Sequence, residues 1–256
     1  MIIKRVPSGP RRGAGLLAWA LCLIFTLQAA QAVARQVPEK LLYSLSWLGI
    51  TVGTATQEIS DDGDSRRIVS HARSNEWLSA FYPVDDRIES RLLNKGVSFP
   101  GESRTYHMLF KEGNRTHDRE ITFDQASRKA SFWDRISGEK AEVPIAENTY
   151  DIYASFYFIR YQPLEVGKSL YLNLLDGKKL RRIEVKVLRR EKVKVPAGEF
   201  DTIVVKPMVP SEGVFEGKGG ALIWLTDDLR RIPVKTQTKV RVGSVTAVLT
   251  GGTYEH

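Results

Sequence analysis

The stretch Asp151-Ile152-Tyr153-Ala154-Ser155-Phe156-Tyr157-Phe158-Ile159-Arg160-Tyr161 decides how the rest of the chain must be arranged. Asp151 is a good helix N-cap, and Pro163 stops the segment two residues after Tyr161. At helical spacing, Ile152, Tyr153, Ala154, Phe156, Tyr157, Phe158, Ile159 and Tyr161 cover nearly the whole circumference. A helix that is apolar on all sides is buried. Its four rings, Phe156, Tyr157, Phe158 and Tyr161, each offer about 150–250 Å². At about 25 cal/mol per Å² this amounts to about 15–25 kcal/mol as an upper bound. A whole domain is net stable by only about 5–15 kcal/mol. The segment therefore cannot lie in water, and the remaining chain must sheathe it.

Working outward, almost every other segment after Pro38 reads as a strand bounded by turn residues. Lys40–Trp47 alternates, with Tyr43, Leu45 and Trp47 on one face. Thr51–Ile59 and Arg66–Ser74 flank the turn Asp61-Asp62-Gly63-Asp64, and Asp85–Leu92 follows a short helical turn at Asn75–Phe81. Gly113-Asn114 is a two-residue hairpin loop. Pairing about it sets Tyr106 opposite Ile121 and Met108 opposite Arg119, gathering apolar side chains on one face. Further strands are expected at Lys129–Arg135, Ser169–Leu175, Lys179–Val195, Phe200–Lys206, Ala221–Leu225, Ile232–Val240 and Val242–Gly251. The expected fold is mainly β: a strongly curved antiparallel sheet or open half-barrel of about 12 strands wrapped around the apolar helix at 151–161. It forms one β-rich domain over 33–256.

The first 32 residues are of another kind. Lys4, Arg5, Arg11 and Arg12 precede an apolar run, Gly13–Leu27, and Ala30-Gln31-Ala32 reads as a cleavage site. The order is that of a secretory signal peptide, and the run is short of the roughly 20 residues a spanning helix needs. Cleavage removes four cations and no anion, so the net charge falls from +8 to +4, too little to argue for nucleic acid. It also removes Cys22, the single cysteine, which excludes disulfides, thiol nucleophiles and cysteine metal sites. A periplasmic location follows as the expectation, with no membrane span after cleavage.

Four motifs then occur in order: Ser46-Trp47-Leu48-Gly49-Ile50-Thr51-Val52-Gly53-Thr54-Ala55-Thr56, Phe81-Tyr82-Pro83-Val84-Asp85-Asp86-Arg87, Val195-Pro196-Ala197-Gly198-Glu199-Phe200-Asp201 and Trp224-Leu225-Thr226-Asp227-Asp228. Together they resemble an exported bacterial family catalogued as domain of unknown function 3108, over nearly the whole mature chain. The resemblance implies a periplasmic β-rich domain and no activity. Its general shape is similar to the half-barrel of periplasmic lipoprotein carriers, a likeness that concerns fold alone.

Signals for chemistry are sparse. Gly167-Lys168-Ser169 lacks the upstream glycine of a phosphate loop, because Gln162 stands in its place. There is no Gly-x-Ser-x-Gly elbow and no His-Glu-x-x-His helix. His71, His107, His117 and His256 lie too far apart for a local metal pair, and neither metal nor cofactor is expected. Of Asp85 and Asp86 at most one points inward, where Asp86 would meet a nearby arginine. Asp227-Asp228 starts a turn.

Two groups remain as candidate contacts. Trp47, Trp77, Phe81 and Tyr82, with Asp86 and Arg87, would line the mouth of a curved sheet and contact an apolar ligand. Arg182, Lys186 and Arg190 would share the basic face of the strand Lys179–Val195, meeting solvent or an anionic surface. The expected function is non-enzymatic: binding of an apolar ligand, a lipid or lipoprotein-like partner. The alternatives are an assembly module engaging another envelope protein and, behind both, a glycan-acting hydrolase needing two carboxylates about 5–9.5 Å apart.

Overall fold

The computed structural model describes residues 38–94, 100–208, 220–240 and 242–253; the expected signal peptide and His256 lie outside them. The strands are β1 (Glu39–Trp47), β2 (Ile50–Asp62), β3 (Ser65–Ser74), β4 (Asp85–Leu93), β5 (Glu102–Glu112), β6 (Arg115–Asp124), β7 (Lys129–Asp134) and β8 (Lys140–Pro144). They continue as β9 (Thr149–Tyr150), β10 (Ser169–Asp176), β11 (Lys179–Val195), β12 (Gly198–Pro207), β13 (Ala221–Thr226), β14 (Pro233–Lys239) and β15 (Ser244–Thr253). Two short helices, α1 (Glu76–Ser79) and α2 (Ile152–Arg160), interrupt them.

All fifteen strands belong to one open sheet, in the order β8-β7-β6-β5-β4-β3-β2-β1-β15-β14-β13-β12-β11-β10-β9. Every pairing is antiparallel except the short parallel contact of β9 with β10. The protein is thus mainly β, but the expected count of about 12 strands is too low. Two strands carry no readable period. β8 buries only Val143, and β9 is two residues long. They are also the two edges of the sheet. The β5–β6 hairpin has the register its apolar residues demand, with Tyr106 opposite Ile121 and Met108 opposite Arg119.

The helix α2 is held at both ends by buried polar groups. Asp151, fully buried, is its N-cap: one carboxylate oxygen accepts from the amides of Tyr153 and Ala154 at 3.0 and 2.9 Å. The other accepts from Ser90 Oγ in β4 at 2.8 Å and Ser103 Oγ in β5 at 2.7 Å. At the C-terminal end Arg160 Nη1 and Nη2 donate to the two oxygens of Glu39 in β1, at 2.8 and 2.7 Å. Arg160 Nε donates to the Arg231 carbonyl at 3.0 Å, and Tyr157 Oη donates to Glu39 Oε1 at 3.1 Å. A cation in the last helical turn also complements the helix dipole.

Between these ends α2 reaches three groups of core residues. Ile159 packs with Leu172, Leu174, Ile183, Val185 and other residues of β10–β13. Ala154 and Tyr157 pack with Ile59, Ile68 and Leu92 of β2–β4. Ile152 and Tyr153 lie against the group that contains Tyr106, Ile121 and Phe132. A fourth group occupies the opposite face of β12 and β13, where Val204 and Trp224 join Leu41, Tyr43, Val234 and Leu249. Consecutive residues of β12 from Thr202 to Val205 are therefore all buried, since this part of the sheet is covered on both faces.

Removing one partner of a buried ion pair strands the other in a medium that solvates it poorly. Arg160→Ala should therefore cost about 3–5 kcal/mol of stability, read from urea unfolding. The double variant Glu39→Leu/Arg160→Met should lose less than either single truncation. Losses that simply add would show that the two groups are not coupled.

Candidate functional site

Among the connections that the antiparallel order places at one end of the sheet are four near its middle: β1–β2, the α1 segment between β3 and β4, β5–β6, and β14–β15. Hydrogen bonds stitch three of them together. Trp47 Nε1 donates to the Val242 carbonyl at 2.8 Å, and Trp77 Nε1 donates to the Thr51 carbonyl at 3.1 Å. Asn75 caps α1 by accepting from the Leu78 amide, and its Nδ2 donates to the same Thr51 carbonyl at 2.9 Å. The fourth connection joins through the Gly113 amide, which donates to the Pro83 carbonyl at 2.7 Å, while the Tyr82 ring lies against Gly113.

With both indole N–H groups bonded to backbone, the rings are fixed and their apolar surface is turned outward. Phe81 is 84% exposed, and Leu48, Ile50, Trp47, Trp77, Tyr82 and Val242 are also exposed. Leu48 has φ of +50°, a left-handed conformation that costs a leucine about 1–2 kcal/mol. It lies on Gly243, where a Cβ would come within 2.2 Å of its Cδ2. At the other end the turns Asp61–Asp64, Asp124–Arg128 and Asp227–Arg231 expose Leu229 alone among large apolar side chains, and the connection into β10 exposes Val166. The structure thus brings together Trp47, Trp77, Phe81 and Tyr82, as an outward-facing rim.

Asp86 and Arg87 belong to the same end but point to opposite faces. Arg87 is exposed opposite Leu109. Asp86 is half-buried, and its expected arginine partner is absent: Oδ1 accepts from the Lys111 amide at 3.0 Å, and the neighbouring acid is Glu112. Burial, then the charge of Glu112, pushes the Asp86 carboxyl up to about 7. Asp85 faces outward and meets His71 Nε2 at 2.6 Å, which holds its carboxyl below the usual range. His107 similarly meets Asp118 at 2.8 Å. Among the described residues no three His, Cys, Asp or Glu side chains gather as a metal site.

The basic face expected on β11 is not one face. A register shift between Val187 and Arg189 leaves Lys186 opposite Lys206 but Arg190 opposite Ile203. Those β12 residues are three apart and point to opposite faces. Arg190 is therefore turned away from Arg182 and Lys186, because the bulge breaks the alternation on which the expectation relied. Arg190 pairs with Asp227 at 2.5 Å, and Arg182 covers the Tyr171 ring at 5.1 Å. Sequence reasoning also missed a shallow open groove of about 450 Å³ on β6–β8, lined by Glu120, Trp133, Lys140 and Glu142 among others. Arg135 and Lys140 approach the Trp133 ring at 4.7 and 5.0 Å.

An open, strongly β sheet with a buried short helix and an apolar end defines a β-barrel-like protein. The chain belongs to the family described as protein of unknown function DUF3108, which matches residues 42–250. In fold it is similar to the crystal structure of a β-barrel-like DUF1849 protein from Brucella abortus, with a TM-score of 0.55 at 11% identity over 85% of this chain and 98% of that one. A protein of YmcC-like fold from Bacteroides fragilis matches more loosely, with a TM-score of 0.36 at 13% identity over 85% of this chain and 96% of that one. No curated protein matches the sequence.

The raised Asp86 carboxyl predicts a pH dependence with a definite sign. Between the unfolded value, about 4, and the folded value, about 7, the folded state binds the extra proton. Stability therefore falls as pH rises through that window and levels off above it. Asp86→Asn, which can still accept from Lys111, should match the wild-type thermal midpoint near pH 4 and exceed it at pH 8. Parallel midpoint-against-pH curves for the two proteins would refute the assignment.

Proposed function

We propose that this is a non-enzymatic protein of the periplasm that binds an apolar ligand, a lipid or a lipid-bearing partner, at the Trp47–Phe81 end of its sheet. The reading rests on one observation: the large apolar side chains of three hydrogen-bonded connections are exposed together at that end. Exposed large apolar side chains gathered at one end in this way mark an interaction site. We take the sheet to curl round α2, so that the helix and its core partners fill the concave side. The ligand is then met at the rim, not within the sheet.

Two features weigh against the alternatives. Assembly by strand addition would use a sheet edge, and here the edges are blunt: β8 begins with Lys140 and ends with Pro144, and β9 has two residues. Glycan hydrolysis needs two separated carboxylates with room between them for a sugar. The inward acid Asp86 instead has Glu112 as a close neighbour, and burial, then the charge of Glu112, raises its carboxyl. No helix among the described residues is long and apolar enough to cross a membrane, so contact with lipid would be made through this rim.

The test is direct. Protein purified from its native host should carry acyl lipid detectable by mass spectrometry. The purified protein should also bind N-phenyl-1-naphthylamine, a soluble apolar dye that brightens on leaving water. Phe81→Ser and Leu48→Ser should each weaken dye binding by about tenfold, the loss expected for one large apolar contact. Lipid-free protein that leaves the dye dark overturns the reading.

A further inference from the structure

The rim has a charge pattern as well as an apolar one. Arg87, Lys111, Arg115 and Lys239 are exposed at the same end of the sheet, on β4, β5, β6 and β14. None of them has an ion-pair partner among the described residues. Elsewhere cations are largely neutralised on the surface: Arg67 by Glu89, Lys129 by Glu142, Arg189 by Glu191, Lys192 by Asp201. Of the acids at the rim, Asp85 is engaged by His71 and Arg73, and Asp86 and Glu112 face each other. Glu76 is the exposed acid, and even with the half-buried Asp86 and Glu112 counted as charged the rim sets four free cations against three acids. The unbalanced charge beside the apolar tips is therefore positive.

The shape of the apolar surface adds to this. It consists of separate tips, Leu48 and Ile50 on one connection, Phe81 on a second and Val242 on a third, with Trp47 and Trp77 set between them. Isolated aliphatic and aromatic tips, indoles and surrounding cations are the composition of a surface that enters the boundary between lipid headgroups and acyl chains. A small apolar ligand would be held more loosely on such a surface than in a pocket, and a protein partner needs one packed, desolvated centre.

We propose that the Trp47–Phe81 end of the sheet seats on an anionic phospholipid bilayer, with Leu48, Ile50, Phe81 and Val242 entering the acyl boundary and Arg87, Lys111, Arg115 and Lys239 meeting lipid phosphates. This deepens the preceding reading, and rests on it, by naming the bilayer itself as the source of the lipid. The strained Leu48 turn then has a use: it holds an exposed leucine at the end that meets the membrane.

The experiment is co-sedimentation of the purified full chain with vesicles of phosphatidylcholine alone or mixed with phosphatidylglycerol, followed also by tryptophan emission. Wild-type protein should pellet with the mixed vesicles at low salt, shift its emission to the blue, and be released as rising salt shortens the screening length. Leu48→Asp/Phe81→Asp should cut vesicle binding by about tenfold or more. Both positions are exposed, so circular dichroism should be unchanged and the thermal midpoint should not fall. Arg87→Glu/Lys239→Glu should abolish the preference for phosphatidylglycerol. Protein that binds the soluble dye but stays in the supernatant with either vesicle overturns the bilayer as partner and leaves the apolar site standing. Failure with both dye and vesicles removes the two readings together. Vesicle binding that survives Leu48→Asp/Phe81→Asp also overturns the proposal, since it places the contact elsewhere.

Discussion

The ion pair of Arg160 with Glu39 is the constraint around which the other elements are arranged. Both side chains are buried, and each would be costly to leave without the other. The pair joins the last turn of α2 to the first strand, across 121 residues of sequence. At the other end of the same helix Asp151 joins β4 and β5 through Ser90 and Ser103. Apolar burial alone would favour putting α2 somewhere against the sheet, since dispersion and hydrophobic contact are non-directional. Two buried polar ends, each with few permitted partners, fix where along the sheet it lies and which way it faces. The fixed helix lets one sheet serve several core groups: Ile159 faces β10–β13 while Tyr157 faces β2–β4.

Packing α2 against the core groups in this way moves the question of function to the surface. Interior aromatic residues such as Tyr106, Phe132 and Tyr157 are used up in packing. Four of the exposed ones, Trp47, Trp77, Phe81 and Tyr82, gather where strand connections meet. Trp47 and Trp77 use their N–H groups on neighbouring carbonyls, so the exposed rings are positioned by the fold and lose little freedom on contact.

How much of this was legible in the sequence depended on the range of the interaction involved. The β5–β6 register was readable because the apolar residues of two adjacent strands have a single best alignment about Gly113-Asn114. The ends of β11, Lys179 and Val195, were readable from turn residues, but its faces were not. A bulge is set by the pairing with β12, and nothing in the local alternation marks it. β8 and β9 escaped because an edge strand has little to bury and so has no period. Arg160 read as an ordinary residue at the end of a helix, since its partner is on the first strand. The rim residues Trp47, Trp77, Phe81 and Tyr82 were legible by type and position relative to turns. Whether they faced in or out was decided by the occupancy of the interior, which no local pattern records.

The two ends of the sheet differ in a way that packing does not require. Turns need only the right backbone conformations, and polar residues satisfy that need at the Asp61–Asp64 and Asp227–Arg231 connections. At the opposite end a leucine takes a left-handed conformation that glycine or asparagine would adopt more cheaply. A phenylalanine stands almost fully in solvent, and two tryptophans are braced in half-exposed positions. Each choice is unfavourable for an isolated protein in water, through strain or through exposed apolar area. Local choices that conflict with folding economy tend to occur where something other than folding selects them. Left-handed arginines, Arg128 and Arg231, occur at the polar end as well, but the exposed apolar tips collect beside unpaired cations, and that coincidence is what points to a partner with an apolar interior and an anionic face.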